Sequence, residues 1–351
     1  MSLADDLTRV PERETGGKIA LERLDYQTAW GLLKVLQLHE TGRGYAVAFE
    51  FHDDIAELDD KTEPKVINFY QVKTTKAGAW SLAQIAQLRG KTTDSKSSYA
   101  GKMFDNLIRF GDGARKVAFV TNRPLNDFPA AAGEVPLTGA DAKKLAKFVS
   151  ALKLECPRFA EEKHLPSFAF LECGLDLQRY EETLLGETTM FLERAIGGGE
   201  HARIFHLMLS DECRRKSRKL SDLTSLDELL RSKFLTRDDM EKRIASFQKR
   251  RESRPTWASV ARHLGLPWQE EMALERAWRA YETRRLERVN APMLAFEDRL
   301  KNVVAPIVNS SQTLMQGVDA AFTKARPLVT ETFGPVADDF VKAAILYEYQ
   351  R

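Results

Sequence analysis

Two strand-like runs on either side of a polar turn constrain this chain more than any other feature. The first, 45-YAVAFEFHDDIAEL-58, alternates in character and carries aromatic residues, and the second is 66-VINFYQVKTT-75. The intervening 59-DDKTEPK-65 has turn composition, so the pair reads as an antiparallel hairpin. Upstream, 17-GKIALERLDYQTAWGLLKVLQLHETG-42 sets Leu21, Leu24, Leu32, Leu33 and Leu36 at helical spacing and stops at TGRG, which predicts a long first helix. Downstream, 80-WSLAQIAQLRGK-91 reads as a helix, and 92-TTDSKSSYAGK-102 reads as a loop leading into another helix. The run 116-KVAFVTNRPL-125 is nearly continuous in apolar residues, as in a strand covered on both faces. Residues 139–154 follow as a helix, and 167-SFAFLEC-173 as a last strand.

From about residue 176 strand signals stop. Segments 177–195, 203–216, 224–231, 237–250, 256–263 and 267–345 read as helices or helix-loop mixtures, with a Gly-rich hinge at 195-AIGGGEH-201. At 351 residues the chain is long for one core, so two domains are expected: an α/β domain over 1–195 and a helical domain over 196–351, serving assembly or DNA contact. With 43% apolar and 30% charged residues the composition is that of a soluble globular protein. Runs such as 117-VAFV-120 and 344-AILY-347 are far too short to span a bilayer, so no membrane partner is expected. The first fifteen residues look like a loose arm and lack the apolar stretch of a secretory signal, which predicts a cytoplasmic location. Cys156, Cys173 and Cys213 have neither zinc nor disulfide spacing and read as buried thiols. A net charge of +2 excludes a globally basic protein, so any nucleic-acid surface must be local.

Chemistry concentrates on the hairpin. Side chains alternate along a strand, so Gln71 and Lys73 project to one side; by the same rule Glu50, His52 and Asp54 share a face and Asp53 points the other way. If the strands pair, Asp54, Gln71 and Lys73 converge. A hard cation such as Mg²⁺ (or Mn²⁺) takes carboxylate and carbonyl oxygens plus water; Asp54 supplies the charge, Gln71 a carbonyl oxygen, and Asp53 is a further candidate ligand. Lys73 would stabilise charge developing on a phosphate or hold the attacking water. The bland alternative is a surface hairpin with ordinary charges, against which stands the cost of a lysine in an apolar strand. Glu50 is a candidate for binding metal or orienting a ligand, and Gln27 for lining the site from the first helix. His52 reads as a neighbour rather than a base, and Tyr26 as a packing residue.

The pattern D-x(n)-(E/Q)-x-K across a hairpin resembles the PD-(D/E)xK nucleases, with Gln71 in place of the usual Glu. A longer succession carries a narrower resemblance: Gly16, Gly17, Tyr26 and Gln27; E-x-x-DDI at Glu50 to Ile55; YQVKT at Tyr70 to Thr74; KSSYAGKMFDN; FVTN at Phe119 to Asn122; then 205-FHLMLSDECRRKS-217 and 235-LTRDDME-241. In this order the pieces resemble the dsDNA endonuclease domain of CD-NTase-associated effectors of bacterial anti-phage defence. The resemblance implies a fold of class α/β, a PD-(D/E)xK restriction-endonuclease-like core with a mostly α-helical C-terminal region. It implies cleavage of double-stranded DNA with a divalent metal. Some members are fused to a nucleotide sensor, and no such module is recognisable in residues 200–351. The chain therefore resembles the stand-alone form, which implies a HerA-type hexameric ATPase as partner and a homo-oligomer.

Lys102 and Asn122 are candidates for touching DNA phosphate or supporting the site. Two basic clusters, 214-RRKSRK-219 with Arg214, Arg215 and Lys216, and 249-KRRESR-254 with Lys249 and Arg250, are candidate DNA contacts, although such runs are commonly solvated helix faces. Trp257, Trp268 and Trp278 read as core or interface residues. No P-loop is present, so ATP hydrolysis by this chain is not expected. Two rival readings stay open: a DNA-binding subunit with a decayed nuclease core, suggested by Gln71, and a purely structural partner in a larger complex, suggested by the helical half.

Overall fold

The computed structural model describes residues 15–90, 97–128, 133–199, 202–219, 225–252, 254–287 and 291–351. Two compact units divide the chain, Met1–Ile244 and Ala245–Arg351. The first opens with helix α1 (Thr15–Glu40) and strands β1 (Ala46–Phe51), β2 (Asp53–Leu58) and β3 (Ile67–Lys73). Short α2 (Leu82–Ile85), α3 (Tyr99–Phe110), β4 (Ala114–Thr121), β5 (Glu134–Pro136), α4 (Ala142–Glu155), α5 (Glu161–His164) and β6 (Phe168–Glu172) follow. The unit is completed by α6 (Tyr180–Ile196), α7 (Ala202–Arg218), α8 (Leu226–Lys233), β7 (Phe234–Thr236) and the start of α9 (Arg237–Glu252).

These strands form one seven-stranded sheet in the order β5-β6-β4-β3-β2-β1-β7. β1, β2 and β3 are antiparallel neighbours, whereas β4 runs parallel to both β3 and β6. One face contributes Ala46, Ala56, Phe69, Phe119 and Phe168 to a core shared with α2, α3 and α4. Each large side chain removed from water there stabilises the unit by roughly 1.5–3 kcal/mol. The other face is covered by α1, whose Trp30 ring lies 5.1 Å from that of Tyr70. Helix and sheet come so close that a Cβ at Gly31 would sit 2.6 Å from side-chain atoms of Phe49 and Ile55, so any larger residue forces those side chains to shift.

Three features depart from the expectations above. The run 45–58 is two strands, not one: the chain reverses at His52, and Phe51 pairs with Asp53. Among the described residues of the segment 80–91, only Leu82–Ile85 are helical, started by a capping box between Ser81 and Gln84. The first unit also runs past the Gly-rich stretch at 195–201. β7 pairs with β1, and α7 contacts β1, so α7 and β7 belong with the sheet.

In the second unit the end of α9 leads to α10 (Trp257–Ala261), α11 (Trp268–Glu287), α12 (Ala291–Asn309), α13 (Leu314–Phe333) and α14 (Asp338–Gln350). Trp278, Tyr281, Phe296 and Tyr347 anchor its own core, with Trp257 packed at the margin. Trp268 is 72% exposed and is no part of that core. Among the described residues no helix is long and apolar enough to cross a membrane.

Candidate active site

The reversal between β1 and β2 builds one wall of the site. It is made without glycine: Glu50 has φ 52° and His52 φ 57°. Left-handed backbone at a side-chain-bearing residue costs about 1–2 kcal/mol, so surrounding contacts must hold it. Lys233 Nζ donates to the Glu50 carbonyl at 3.1 Å. The Phe51 ring meets Phe234 at 5.7 Å, and His52 rests on Phe110 at 5.0 Å. Because the chain turns here, strand alternation does not carry from Glu50 to Asp54, and the face shared by Glu50, His52 and Asp54 dissolves. Packing between aromatic rings agrees with His52 as a neighbour rather than a base, and burial lowers its basicity.

Asp54 is the hub. Its Oδ2 accepts from Gln71 Nε2 at 2.5 Å, the Val72 N–H at 2.7 Å and Lys73 Nζ at 2.6 Å. The three residues expected to converge therefore do so. Gln27 reaches from α1 to donate to the Val72 carbonyl at 3.1 Å, and Lys73 donates to that same oxygen at 3.0 Å. Gln27 thus positions the end of β3: its only side-chain hydrogen bond among the described residues is to the Val72 backbone, and it lines the same cleft as Lys73. Asp53 diverges from Asp54. Its Oδ1 accepts the Asp54 N–H at 2.9 Å and its Oδ2 accepts Asn106 Nδ2 at 3.1 Å.

Negative charge exceeds positive charge at this hairpin. Burial, then the charge of Asp54, pushes the Glu50 carboxyl up to about 7, against the pull of Lys73 and Lys233. The same two causes raise Asp53 to about 7. Among the described residues no three His, Cys, Asp or Glu side chains gather as a metal-binding group. The donor set nevertheless suits Mg²⁺, which binds through one or two carboxylates and fills its octahedron with water and substrate phosphate. Asp54 Oδ1 and Gln71 Oε1 have no protein partner among the described residues, so two oxygens stand open beside each other's anchored atoms.

The remaining candidates scatter. Lys102 is exposed on α3. Asn122 supports the site, accepting the Thr75 N–H and donating to its carbonyl, both at 3.0 Å. Helical periodicity splits the first basic cluster. Lys216 is buried and donates to the Arg231 carbonyl at 2.9 Å, so its charge is turned inward, away from any DNA. Arg214 lies 3.1 Å from Asp25, while Arg215 is exposed and pairs with Asp211. Lys249 is exposed, and the side chain of Arg250 lies outside the described residues.

Sequence reasoning missed four contributors. Tyr99 lies under the Lys73 ammonium, 5.6 Å from ring centroid to Nζ. Asn106 holds Asp53, Lys233 holds the turn, and Arg89 stacks on Tyr99 at 4.7 Å. Two of these sit in the stretch KSSYAGKMFDN, so the stretch itself was the signal. Ser98 caps α3 by accepting from Gly101 N and is held in turn by Glu155. This fixes Tyr99 at the helix start and Asn106 two turns on.

A mixed sheet bearing a carboxylate, a carboxamide and a lysine on adjoining strands is the arrangement that the resemblance to PD-(D/E)xK nucleases implies. Residues 15–217, more than half of the chain, match the family described as Cap4, dsDNA endonuclease domain. The chain belongs to this family and is a DNA endonuclease. No curated protein and no solved structure matches it.

Proposed function

We propose that the chain is a divalent-metal-dependent endonuclease of double-stranded DNA with its centre on Asp54, Gln71 and Lys73, acting as an effector of anti-phage defence. The observation that carries this reading is the convergence on one Asp54 oxygen of Gln71, Val72 N–H and Lys73. Asp54 and Gln71 would hold Mg²⁺ through their open oxygens. Although the turn breaks the strand face, Glu50 is exposed and near enough for its charge to interact with those of Asp54 and Lys73, so it would complete the set in preference to Asp53, whose oxygens each already accept a protein donor. When bound, the metal supplies Lewis acidity toward a phosphoryl oxygen and lowers the pKa of a bound water.

The chain's own residues do the rest. Lys73 holds positive charge where the phosphate gains negative charge, and Tyr99 fixes that ammonium by a cation–π contact. Gln27 and Asn122 hold the backbone on either side of Lys73, which keeps its Nζ beside Asp54. The defence role, a HerA-type ATPase partner and a homo-oligomer rest on the family resemblance. A separate helical unit with its own core offers a body on which such assembly can be built.

The test is cleavage of plasmid and linear duplex DNA in Mg²⁺ by the wild type and by Lys73→Ala. Loss of one such electrostatic group is expected to slow cutting by about 10²–10³-fold with folding intact. Unaltered cutting by Lys73→Ala removes Lys73 from the centre.

A further inference from the structure

Beside Lys73 the surface opens into a cleft of about 280 Å³. Its walls include Arg23 of α1, Thr74 and Thr75 after β3, and Arg89 and Tyr99 from the segments that follow. The volume is many times the roughly 30 Å³ that one water occupies in the liquid. Three cations therefore border one opening: Lys73, Arg23 and Arg89. Lys73 is paired with Asp54, whereas among the described residues no carboxylate pairs with Arg23 or Arg89.

Arg89 is placed and not merely present. Its Nη2 donates to the Gln84 carbonyl at 3.1 Å, and its guanidinium lies 4.7 Å from the Tyr99 ring centroid. That ring also carries Lys73 Nζ at 5.6 Å, so one aromatic side chain sets two cations at once. The backbone of Arg89 is held by a two-way bridge to Ser97, at 3.1 and 3.0 Å. A stacked guanidinium with donors to spare is a preorganised partner for a phosphate, and more so than a lysine because of its planar fork. The polymer that the neighbouring centre cuts brings such phosphates in series.

We propose that this cleft seats a backbone phosphate next to the scissile one, with Arg89 and Arg23 as its ligands and Tyr99 as the residue that positions Arg89. This inference rests on the endonuclease reading above. It predicts that the cleft contributes affinity independent of base sequence, since phosphate contacts position the duplex without reading it.

The test is binding of a labelled duplex oligonucleotide to the full chain, followed by fluorescence anisotropy in Ca²⁺ over a series of salt concentrations. The variants are Arg23→Ala, Arg89→Ala, the double variant, Arg89→Lys, and Arg194→Ala as a control at the surface pair with Glu40. Each single alanine variant is expected to weaken binding about 10-fold and to flatten the slope of log K against log salt by about 0.9, as loss of one phosphate contact requires. The double variant should flatten it by about twice that. Arg89→Lys should recover the slope and only part of the affinity, and Arg194→Ala should change neither. Unchanged affinity and slope in Arg23→Ala and Arg89→Ala, in a protein that still cuts DNA, overturns the inference and leaves the endonuclease reading standing. Weaker binding with an unchanged slope also overturns it, because it marks a structural effect. A wild type that neither binds nor cuts duplex DNA overturns both.

Discussion

The two units bury charge in opposite ways. In the helical unit Glu297 and Glu348 are 3% and 0% exposed, yet each is matched. Arg285 lies 2.9 Å from Glu297 and 3.1 Å from Glu348, and Arg351 lies 3.1 and 2.7 Å from the same two. Tyr281 adds a hydrogen bond to Glu348 at 2.8 Å. The two buried carboxylates face two guanidinium groups, and Arg351 also reaches the exposed Asp298. At the β1–β2 turn the half-buried Asp53 and Asp54 and the exposed Glu50 face two lysines, and Lys233 directs its Nζ at a carbonyl rather than a carboxylate. The helical core leaves no surplus of negative charge, whereas the surplus at the turn is what the proposed Mg²⁺ would offset. The left-handed Glu50 and His52 fall in that same place, where strain is expected if function shapes the backbone.

Breaking the balanced cluster should have the largest effect. Arg285→Met leaves Glu297 and Glu348 to share Arg351, one buried negative charge short of a partner, and should cost about 3–5 kcal/mol in urea unfolding of the helical unit, with part recovered by adding Glu348→Gln. Next comes Lys233→Met, which removes a charged hydrogen bond from the strained turn. A loss of about 1.5–3 kcal/mol is expected, with faster amide exchange at Asp54, whose N–H closes on Asp53. Gln71→Glu sharpens the comparison by deepening the surplus. It replaces a donor to Asp54 with a like charge, so the metal-free protein should lose roughly 1 kcal/mol while Mg²⁺ binds more tightly by calorimetry.

The smallest effect is on the pH dependence of the metal-free protein. Glu50 and Asp53 titrate near 7 when folded, against about 4 when unfolded. Between those values the folded state holds protons that the unfolded chain has released, so stability falls as pH rises from about 4 to 7. Melting curves across that range should show the fall, and Glu50→Gln with Asp53→Asn should flatten it.

Much of this was legible in the sequence, and the reason is local. Asp54, Gln71 and Lys73 lie within twenty residues on adjoining strands, so period-two alternation and a turn signal suffice to bring them together. What lay hidden depends on distance along the chain or on unusual backbone. Nothing about Glu50 or His52 as residue types announces positive φ, so 45–58 read as one strand and Glu50 was assigned to a face that does not exist. Lys233 reaches the turn from a helix some 180 positions away in the chain (|i−j| = 183) and has no motif. β7 is three residues long, too short for any period to show, yet it joins the sheet beside β1. Lys216 and Arg215 are neighbours in a basic run, and only the helix decides that one is buried and the other exposed.

The most direct measurement is an Mg²⁺ titration of the wild type and Asp54→Asn at pH 8, following melting temperature and duplex cleavage together. The account predicts that Mg²⁺ raises the melting temperature of the wild type and switches on cutting, and that Asp54→Asn shows neither. Cutting in EDTA at the Mg²⁺ rate, or wild-type cutting by Asp54→Asn, would contradict it.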